Sequence, residues 1–310
     1  MNLLVGDIGG THTRLAIYTG EEFASARSYQ NDDYPDPLKL FTAYLDSLTP
    51  DLLPQQACLA VAAPVTSNDV QLTNRDWHLS VERLQQALRL QRVQFINDFA
   101  AVALGIRWLQ AGSYRQIGHG KAVDQATLLA LGPGTGFGMA GLVSHGDDWI
   151  VISSEGGHAT ISALNQRELE ILGRLHVNHQ SVAIEDVLSG PGLLKLYKAI
   201  ADLDGVTMRV QTQEDVTRLA RNKDKLALAT FDMFFRFLGR TAGDMALAFN
   251  ATGGVYLAGG ILPALLPELE RSLFREEFKN KGRYTEYVAA IPTFLVTDPL
   301  VAFRGLACTL

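Results

Sequence analysis

Short apolar runs and longer amphipathic segments alternate along the chain. Apolar runs bounded by turn residues predict strands, and these cover residues 3–8, 14–19, 22–28, 57–65, 93–98 and 253–261. Apolar residues at helical spacing predict helices, and these cover residues 37–48, 79–90, about 99–110, 225–250 and about 298–307. Strands that alternate with helices in this way are typical of an α/β fold.

The order of strand, glycine turn and strand at the N-terminus occurs a second time. Residues 3–19 form the first copy, and residues 127–144, TLLALGPGTGFGMAGLVS, form the second. The repeated opening predicts two related halves. Residues 125–144 carry no charge, but five glycines and Pro133 argue against a membrane helix there.

Composition narrows the classes of function. The 310 residues are 47% hydrophobic and 19% charged, which suits a globular protein of about two domains. The formal net charge is −6 without any Lys/Arg-rich block, so nucleic acid and membrane are not expected as partners. Cys58 and Cys308 lie far apart, which indicates neither a disulfide framework nor a zinc site. Few cysteines and no secretory signal predict a cytoplasmic protein.

Asp7 stands near the end of the first predicted strand, directly before a glycine turn. Glycine lets the backbone approach a ligand closely, and successive N–H groups can then bind an anion. Such turns occur at residues 9–11, 134–136 and 259–260, and the first two include a threonine. The third suits contact with an adenine or ribose. Each is also ordinary turn chemistry when taken alone, but three together with an acid favour a site for phosphate and metal.

The sequence does not support either of two other nucleotide-binding motifs, the Walker P-loop and the dinucleotide fingerprint. No GxxxxGK[ST] segment occurs, so a Walker P-loop is excluded. Residues 136–141 match GxGxxG, but a dinucleotide fingerprint requires a helix after the turn. A β-like run follows instead, so a dinucleotide site is not favoured.

A second group of polar residues lies at a strand end and in polar breaks of the chain. Asn97 and Asp98 end a predicted strand, where ligands collect in α/β sheets. Glu155 and His158 flank a glycine pair, and Glu185 lies in another polar segment. These residues are candidate ligand-binding positions.

Each of these positions also has a structural interpretation. Asp98 is a suitable N-cap for the helix predicted after it. His158 alone is more typical of an ordinary polar histidine. Glu185 and Asp186 suit the first turn of a helix. A metal site at Glu155 and His158 lacks a third local ligand.

Six motifs carry a resemblance to a known family. GDIGGTHTRLA, GPGTGFG and TGGVYLAGGI resemble the two phosphate segments and the adenosine segment of the actin-like sugar kinase and hexokinase superfamily. FINDFAAVALGI, SSEGGH and AIEDVLSGPGL resemble the bacterial glucokinase family, and the correspondence runs from residue 4 to about residue 305. ROK-type sugar kinases share some of these motifs, but their zinc-binding cysteine cluster and the helix-turn-helix of their repressor members are absent from this sequence.

The resemblance implies an actin-like, ribonuclease H-like two-domain ATPase fold with a cleft between the domains. The small domain would comprise residues 1–108 and 298–310, and the large domain residues 109–297. The family also implies ATP as the phosphoryl donor, Mg²⁺ held by Asp7 through water, and a homodimer. The nucleotide contacts that it implies are Gly6, Asp7, Ile8, Gly9, Gly10, Thr11, Gly134, Thr135, Gly136, Gly259 and Gly260.

The implied activity is phosphorylation of D-glucose at O6 by ATP, feeding glycolysis, with Asp98 as the general base. The implied sugar contacts are Asn97, Asp98, Glu155, His158 and Glu185. A kinase for another hexose is one alternative. A sugar sensor that binds ATP on an actin-like fold without catalysis is another.

Overall fold

A computed structural model describes residues 2–72, 75–176, 181–208 and 210–309. The chain packs into two compact units, one formed by Met1–Gln110 with Asp298–Leu310 and the other by Ala111–Thr297. Within the described residues, no helix has the length and apolar character needed to cross a bilayer.

The first unit is built on a mixed sheet with helices packed against it. Its strands are β1 (Leu3–Ile8), β2 (His12–Tyr18), β3 (Phe23–Gln30), β4 (Gln56–Val61), β5 (Asp69–Gln71), β6 (His78–Ser80) and β7 (Arg92–Asn97). Its helices are α1 (Pro37–Asp46), α2 (Val81–Leu88), α3 (Asp98–Ile106) and the C-terminal helix Val301–Ala307. The strand order is β3-β2-β1-β4-β7, and β5 and β6 form a separate ribbon.

Two glycines bring the C-terminal helix into close contact with α3. A Cβ at Gly105 would lie 1.9 Å from the carbonyl oxygen of Val301, and a Cβ at Gly305 would lie 1.9 Å from that of Ala101. Neither helix can therefore accept a side chain at its contact point. This close packing joins the end of the chain to the first unit.

The second unit contains a larger mixed sheet. Its strands are β8 (Tyr114–Ile117), β9 (Leu128–Pro133), β10 (Phe137–His145), β11 (Asp148–Ser154), β12 (Gly254–Leu257) and β13 (Thr293–Val296). Its helices are α4 (Gln166–Leu175), α5 (Ile184–Val187), α6 (Gly190–Leu203), α7 (Gln213–Arg221), α8 (Lys225–Ala248), α9 (Leu266–Arg271), α10 (Phe274–Lys279) and α11 (Thr285–Ala290). The strand order is β11-β10-β9-β12-β13-β8.

The two sheets share one topology, which confirms the prediction of two related halves. In each, three consecutive antiparallel strands are followed by two strands parallel to the first: β1 with β4 and β7, and β9 with β12 and β13. The uncharged residues 125–144 supply β9 and β10, as predicted. Strand β8 is an antiparallel addition at the edge of the second sheet.

Several predicted boundaries were wrong. The helix predicted over residues 79–90 starts only at Val81, because residues 78–80 form β6, and the side chain of Ser80 makes no capping bond. Strand β4 ends at Val61, whereas the predicted strand extended to residue 65. The sequence patterns also missed β11, which forms a hairpin with β10, and β8 and β13, which pair with strands distant in sequence.

Candidate functional site

The first glycine turn joins β1 to β2, and Asp7 lies one residue before the end of β1. Asp7 and Arg14 are cross-strand partners, and Arg14 Nη2 donates to Asp7 Oδ2. Arg14 also donates through Nη1 to the carbonyl of Pro299 at 3.0 Å. The Asp7 carboxylate is 21% exposed, so a polar ligand can still reach it. The structure thus gives Asp7 a cationic partner, Arg14, that sequence reasoning missed.

The backbone of this turn is held by Asn31, a fully buried residue directly after β3. Its side-chain amide donates to the carbonyl of Gly9 at 2.8 Å, and its Oδ1 accepts the hydroxyl of Thr13 at 2.8 Å. Its own N–H donates to the carbonyl of Thr11 at 2.9 Å. One buried amide therefore holds the turn at both of its ends. Gly6 leaves room for the core of the first unit, since a Cβ there would lie 2.8 Å from the side chains of Leu15 and Leu59.

The second glycine turn joins β9 to β10. The N–H of Gly134 donates to the carbonyl of Gly136 at 2.8 Å, and the N–H of Gly190 donates to the carbonyl of Gly134 at 2.9 Å. Neither Gly134 nor Gly136 has the positive φ that would by itself require glycine. Close packing accounts for Gly136 instead, because a Cβ there would lie 2.7 Å from Glu185 Oε2.

The third glycine segment follows β12 and lies beside the second turn. The N–H of Ala258 donates to the carbonyl of Leu131 at 2.9 Å. Gly259 has a φ of +99°, and a Cβ there would lie 2.4 Å from the carbonyl oxygen of Pro133. Both the backbone conformation and the close contact therefore require glycine at position 259.

A cavity of about 640 Å³ opens at Gly260. Its volume is in the usual range for a small-molecule site. Its lining combines apolar residues of α6 and the segment after β12 with polar residues of α7 and Asn222, namely Leu193, Gln213, Glu214, Thr217, Arg218, Arg221, Asn222, Gly260, Ile261, Ala264 and Leu265. An apolar wall with polar groups at its side suits a nucleobase and ribose.

Asp98 lies at the start of α3, immediately after β7. The prediction that it could serve as N-cap was wrong by one residue, because Asn97 is the N-cap and its Oδ1 accepts the N–H of Ala100 at 3.1 Å. Asp98 is the first helical residue, and its Oδ1 accepts the N–H of Phe99 at 2.8 Å. Asn97 is 8% exposed, so burial and the cap both hold it in place.

The first glycine turn and Asp98 lie at the same edge of one sheet. β1, β4 and β7 are parallel and in register, so that Ile8 is opposite Val61 and Val61 is opposite Asn97. Neighbouring strands are about 4.8 Å apart, which places the ends of β1 and β7 about 10 Å apart. The sequence predicted both groups as ligand sites but could not predict their spacing.

His158 and Glu185 are brought together in the second unit. His158 Nδ1 lies 3.6 Å from Glu185 Oε1, and their side chains are 57% and 35% exposed. Backbone bonds pair their segments, since the N–H of Ile184 donates to the carbonyl of Ala159 at 2.9 Å. Glu155 is exposed and its carbonyl accepts the N–H of His158 at 3.0 Å.

Asp186 has a structural role. Its carboxylate accepts the N–H of Ala183 at 3.1 Å and the ammonium of Lys195 at 2.8 Å. Burial alone would raise the pKa of Asp186, but these hydrogen bonds and the charge of Lys195 outweigh burial and lower it. Asp186 is therefore an ionised helix cap.

Three acidic or metal-ligating side chains do not converge anywhere in the part of the chain that the structure describes. Asp7 lies two residues before Gly9 of the first glycine turn, and a carboxylate oxygen suits the hard Mg²⁺ ion.

A family model, curated sequences and a solved structure all match this chain to glucokinases. The sequence model described as glucokinase matches residues 4–310. The glucokinase of Paramagnetospirillum magneticum (strain AMB-1) is 38% identical over 308 residues, covering 98% of this chain and 96% of that protein. The glucokinase of Chromohalobacter salexigens is 40% identical over 307 residues, with the same coverage of both chains. The crystal structure of a glucokinase from an Antarctic psychrotroph superposes with a TM-score of 0.85 at 37% identity, covering 99% of this chain and 97% of that one.

Proposed function

Because the chain belongs to the glucokinase family, we propose that it transfers the γ-phosphoryl group of ATP to O6 of D-glucose with Asp98 as the general base. The family supports a glucose kinase that uses ATP. The position of the phosphorylated hydroxyl, the metal and the role of each residue are our assignments from chemistry and geometry.

The observation that carries the proposal is the shared sheet edge in the first unit. Register places the end of β1, with its glycine turn, two strands away from Asn97 and Asp98. Phosphoryl transfer requires an acceptor hydroxyl and a phosphate to meet in line. A turn that binds phosphate and a carboxylate that accepts a proton at the same edge meet that requirement.

Asp98 is the residue best placed to accept the proton of the sugar hydroxyl. Its carboxylate begins α3, whereas the capping bond comes from Asn97. The ionised form of a carboxylate is the form that accepts a proton. A correctly placed base contributes roughly 10²–10⁴-fold to the rate of such a step.

We assign the sugar contacts to Asn97, Asp98, Glu155, His158 and Glu185. Glucose presents hydroxyl groups that both donate and accept, and this set contains carboxylate, amide and imidazole groups that match them. The primary hydroxyl at C6 is flexible, so several contacts to the ring are needed to orient it.

The nucleotide contacts follow the three glycine segments. We assign the phosphates to the turns at residues 6–11 and 134–136, and the adenosine to Gly259, Gly260 and the cavity beside them. Asp7 would hold Mg²⁺ through water, and the ion would neutralise charge on the β- and γ-phosphates. Thr11 and Thr135 would offer hydroxyl groups to phosphate oxygens.

A panel of substrates tests the proposed function directly. Initial rates are measured with glucose, mannose and fructose, each with ATP, ADP and polyphosphate. The product is identified with an enzyme specific for glucose 6-phosphate. We expect the highest kcat/KM for glucose with ATP and a 6-phosphate product. A higher kcat/KM for another hexose, or no turnover with any sugar, would contradict the proposal.

A further inference from the structure

The Glu185 carboxylate contacts both the second glycine turn and the proposed sugar residues. Its Oε2 accepts the N–H of Phe137 at 3.3 Å, and its Oε1 lies 3.6 Å from Nδ1 of His158. Phe137 directly follows the turn at residues 134–136, so its N–H belongs to the group of amides that would face a phosphate. One carboxylate thus connects the two kinds of ligand site.

The backbone just before Glu185 is hydrogen-bonded to the segment that follows His158, and this fixes the position of the Glu185 main chain. The N–H of Ile184 donates to the carbonyl of Ala159 at 2.9 Å, and the N–H of Ile161 donates to that of Val182 at 3.0 Å. Ile184 is also buried in the core of the second unit. The carboxylate can therefore move mainly through its own side-chain torsions.

The turn is shaped to admit this carboxylate. A Cβ at Gly136 would lie 2.7 Å from Glu185 Oε2, whereas a Cβ at Gly134 would meet no atom within 4 Å. Neither glycine has the positive φ that would by itself exclude a side chain. The two glycines therefore differ mainly in their relation to Glu185.

We propose that Glu185 couples sugar binding to nucleotide binding, an inference that rests on the proposed function. Without sugar, the Glu185 carboxylate accepts the Phe137 N–H and places a negative charge where a phosphate must bind. The like charges of the carboxylate and the phosphate repel each other. A sugar hydroxyl that donates to Glu185 draws the carboxylate away and leaves the amide for a phosphate oxygen. By linkage, glucose and nucleotide then strengthen each other's binding by the same factor.

The first test is the affinity of Glu185→Ala for a non-hydrolysable ATP analogue, measured by calorimetry without sugar. Removing the carboxylate frees the Phe137 amide, so we expect this variant to bind the analogue about fivefold more tightly or better. Glucose should tighten binding of the analogue to the wild-type protein but not to this variant. Glu286→Ala is the matched control, since it removes the same charge from an exposed side chain of the second unit that has no assigned ligand. The coupling would be overturned if Glu185→Ala bound the ATP analogue with unchanged or weaker affinity. It would also be overturned if glucose tightened binding of the analogue equally in both variants.

A second test keeps the negative charge of Glu185 but changes the position of its carboxylate. In Gly136→Ala the new methyl group displaces the Glu185 carboxylate, so glucose should bind several-fold more weakly even without nucleotide. Gly173→Ala on α4 has open space for its methyl group and should bind glucose like the wild type. Normal glucose affinity in Gly136→Ala, or the same loss in Gly173→Ala, would contradict the inference.

Glucose titration of Glu185→Ala separates the inference from the proposed function. If glucose affinity is unchanged, Glu185 is not a sugar ligand and that part of the proposed function is wrong. If glucose affinity falls while the affinity for the ATP analogue is unchanged, the sugar assignment stands and the coupling is wrong.

Discussion

At the scale of single residues, Asn31 is the clearest case of a side chain that supports the site without belonging to it. It is fully buried, and its hydrogen bonds reach Gly9, Thr11 and Thr13 around the first glycine turn. We predict that Asn31→Ala raises the KM for ATP several-fold and leaves glucose affinity unchanged. Loss of partners for buried polar groups should also lower the free energy of unfolding by about 1–3 kcal/mol.

Tyr44→Phe is a suitable control for Asn31→Ala, because it removes a buried hydroxyl of the same unit that donates to the carbonyl of Ser25 at 3.2 Å. Steady-state kinetics and urea unfolding are measured for both variants. An equal change in the KM for ATP, or none in either variant, would mean that Asn31 acts on stability alone.

Asp7 and Arg14 allow a second prediction at this scale. Asp7→Ala should require a much higher Mg²⁺ concentration for half-maximal rate and should bind glucose normally, because the proposed metal contact is lost while the sugar residues remain. Asp32→Ala removes the same charge from the same unit, where Asp32 is 88% exposed and pairs with Arg75. Rates are measured against Mg²⁺ concentration. A Mg²⁺ dependence like that of the wild type would remove Asp7 from the metal site.

At the scale of elements, three helices of the second unit are joined by a buried ion-pair network. Arg240 on α8 donates to Glu168 on α4 at 2.8 and 3.2 Å and to Glu277 on α10 at 3.2 Å. Arg240 and Glu168 are 5% and 1% exposed. Arg240 also donates to the carbonyl of Ser162 at 3.1 Å, in the segment that follows His158. The network therefore fixes the start of α4 after the proposed sugar segment.

Removing one member of this network should cost far more than removing a surface pair. Arg240→Met leaves the Glu168 carboxylate buried without its cation, and we predict a loss of about 3–5 kcal/mol in the free energy of unfolding. Arg167→Met, which breaks a bidentate but exposed pair with Asp204, should cost less than about 1 kcal/mol. Urea denaturation of both variants checks this, and equal losses would contradict it.

The same network predicts how stability depends on pH. Burial alone would raise the pKa of Glu168, but hydrogen bonds from Arg240 and from the Leu164 N–H, with the charge of Arg240, outweigh burial and lower it. A carboxyl group with a lowered pKa in the folded state stabilises fully above its unfolded pKa. This stabilisation is lost as the pH falls through the lowered pKa. The difference in unfolding free energy between wild type and Arg240→Met should therefore shrink on acidification, and a constant difference would contradict the assignment.

At the scale of the whole molecule, the sequence predicted the features that depend on neighbouring residues. Strand, glycine turn and strand are local, so both hairpin openings and the related halves could be inferred before the structure was known. The strands β8 and β13 could not, because their pairing joins residues more than a hundred positions apart. Segments as short as these do not identify their own partners.

In the candidate site, too, features that depend on neighbouring residues were predicted and contacts between distant residues were not. The glycine turns and the strand-end pair Asn97 and Asp98 were found from local pattern, although Asn97 rather than Asp98 proved to be the cap. Asn31 and the contact of Glu185 with Phe137 were missed, since they join residues 22 and 48 positions apart. Hydrogen bonds between residues so far apart leave no periodic pattern in a sequence, and only the fold reveals them.

The central claim, that Asp98 is the general base of a glucose kinase, is tested most directly by Asp98→Asn. The helix cap comes from Asn97, so the variant should keep its fold and lose only about 0.3–1 kcal/mol from the interaction of the carboxylate with the start of α3. Glucose affinity should change little, because an amide still hydrogen-bonds a hydroxyl. With melting temperature and glucose affinity checked on the same preparation, we predict that kcat falls by roughly 10²–10⁴-fold. A folded Asp98→Asn protein that binds glucose and keeps a near-normal kcat would contradict the account.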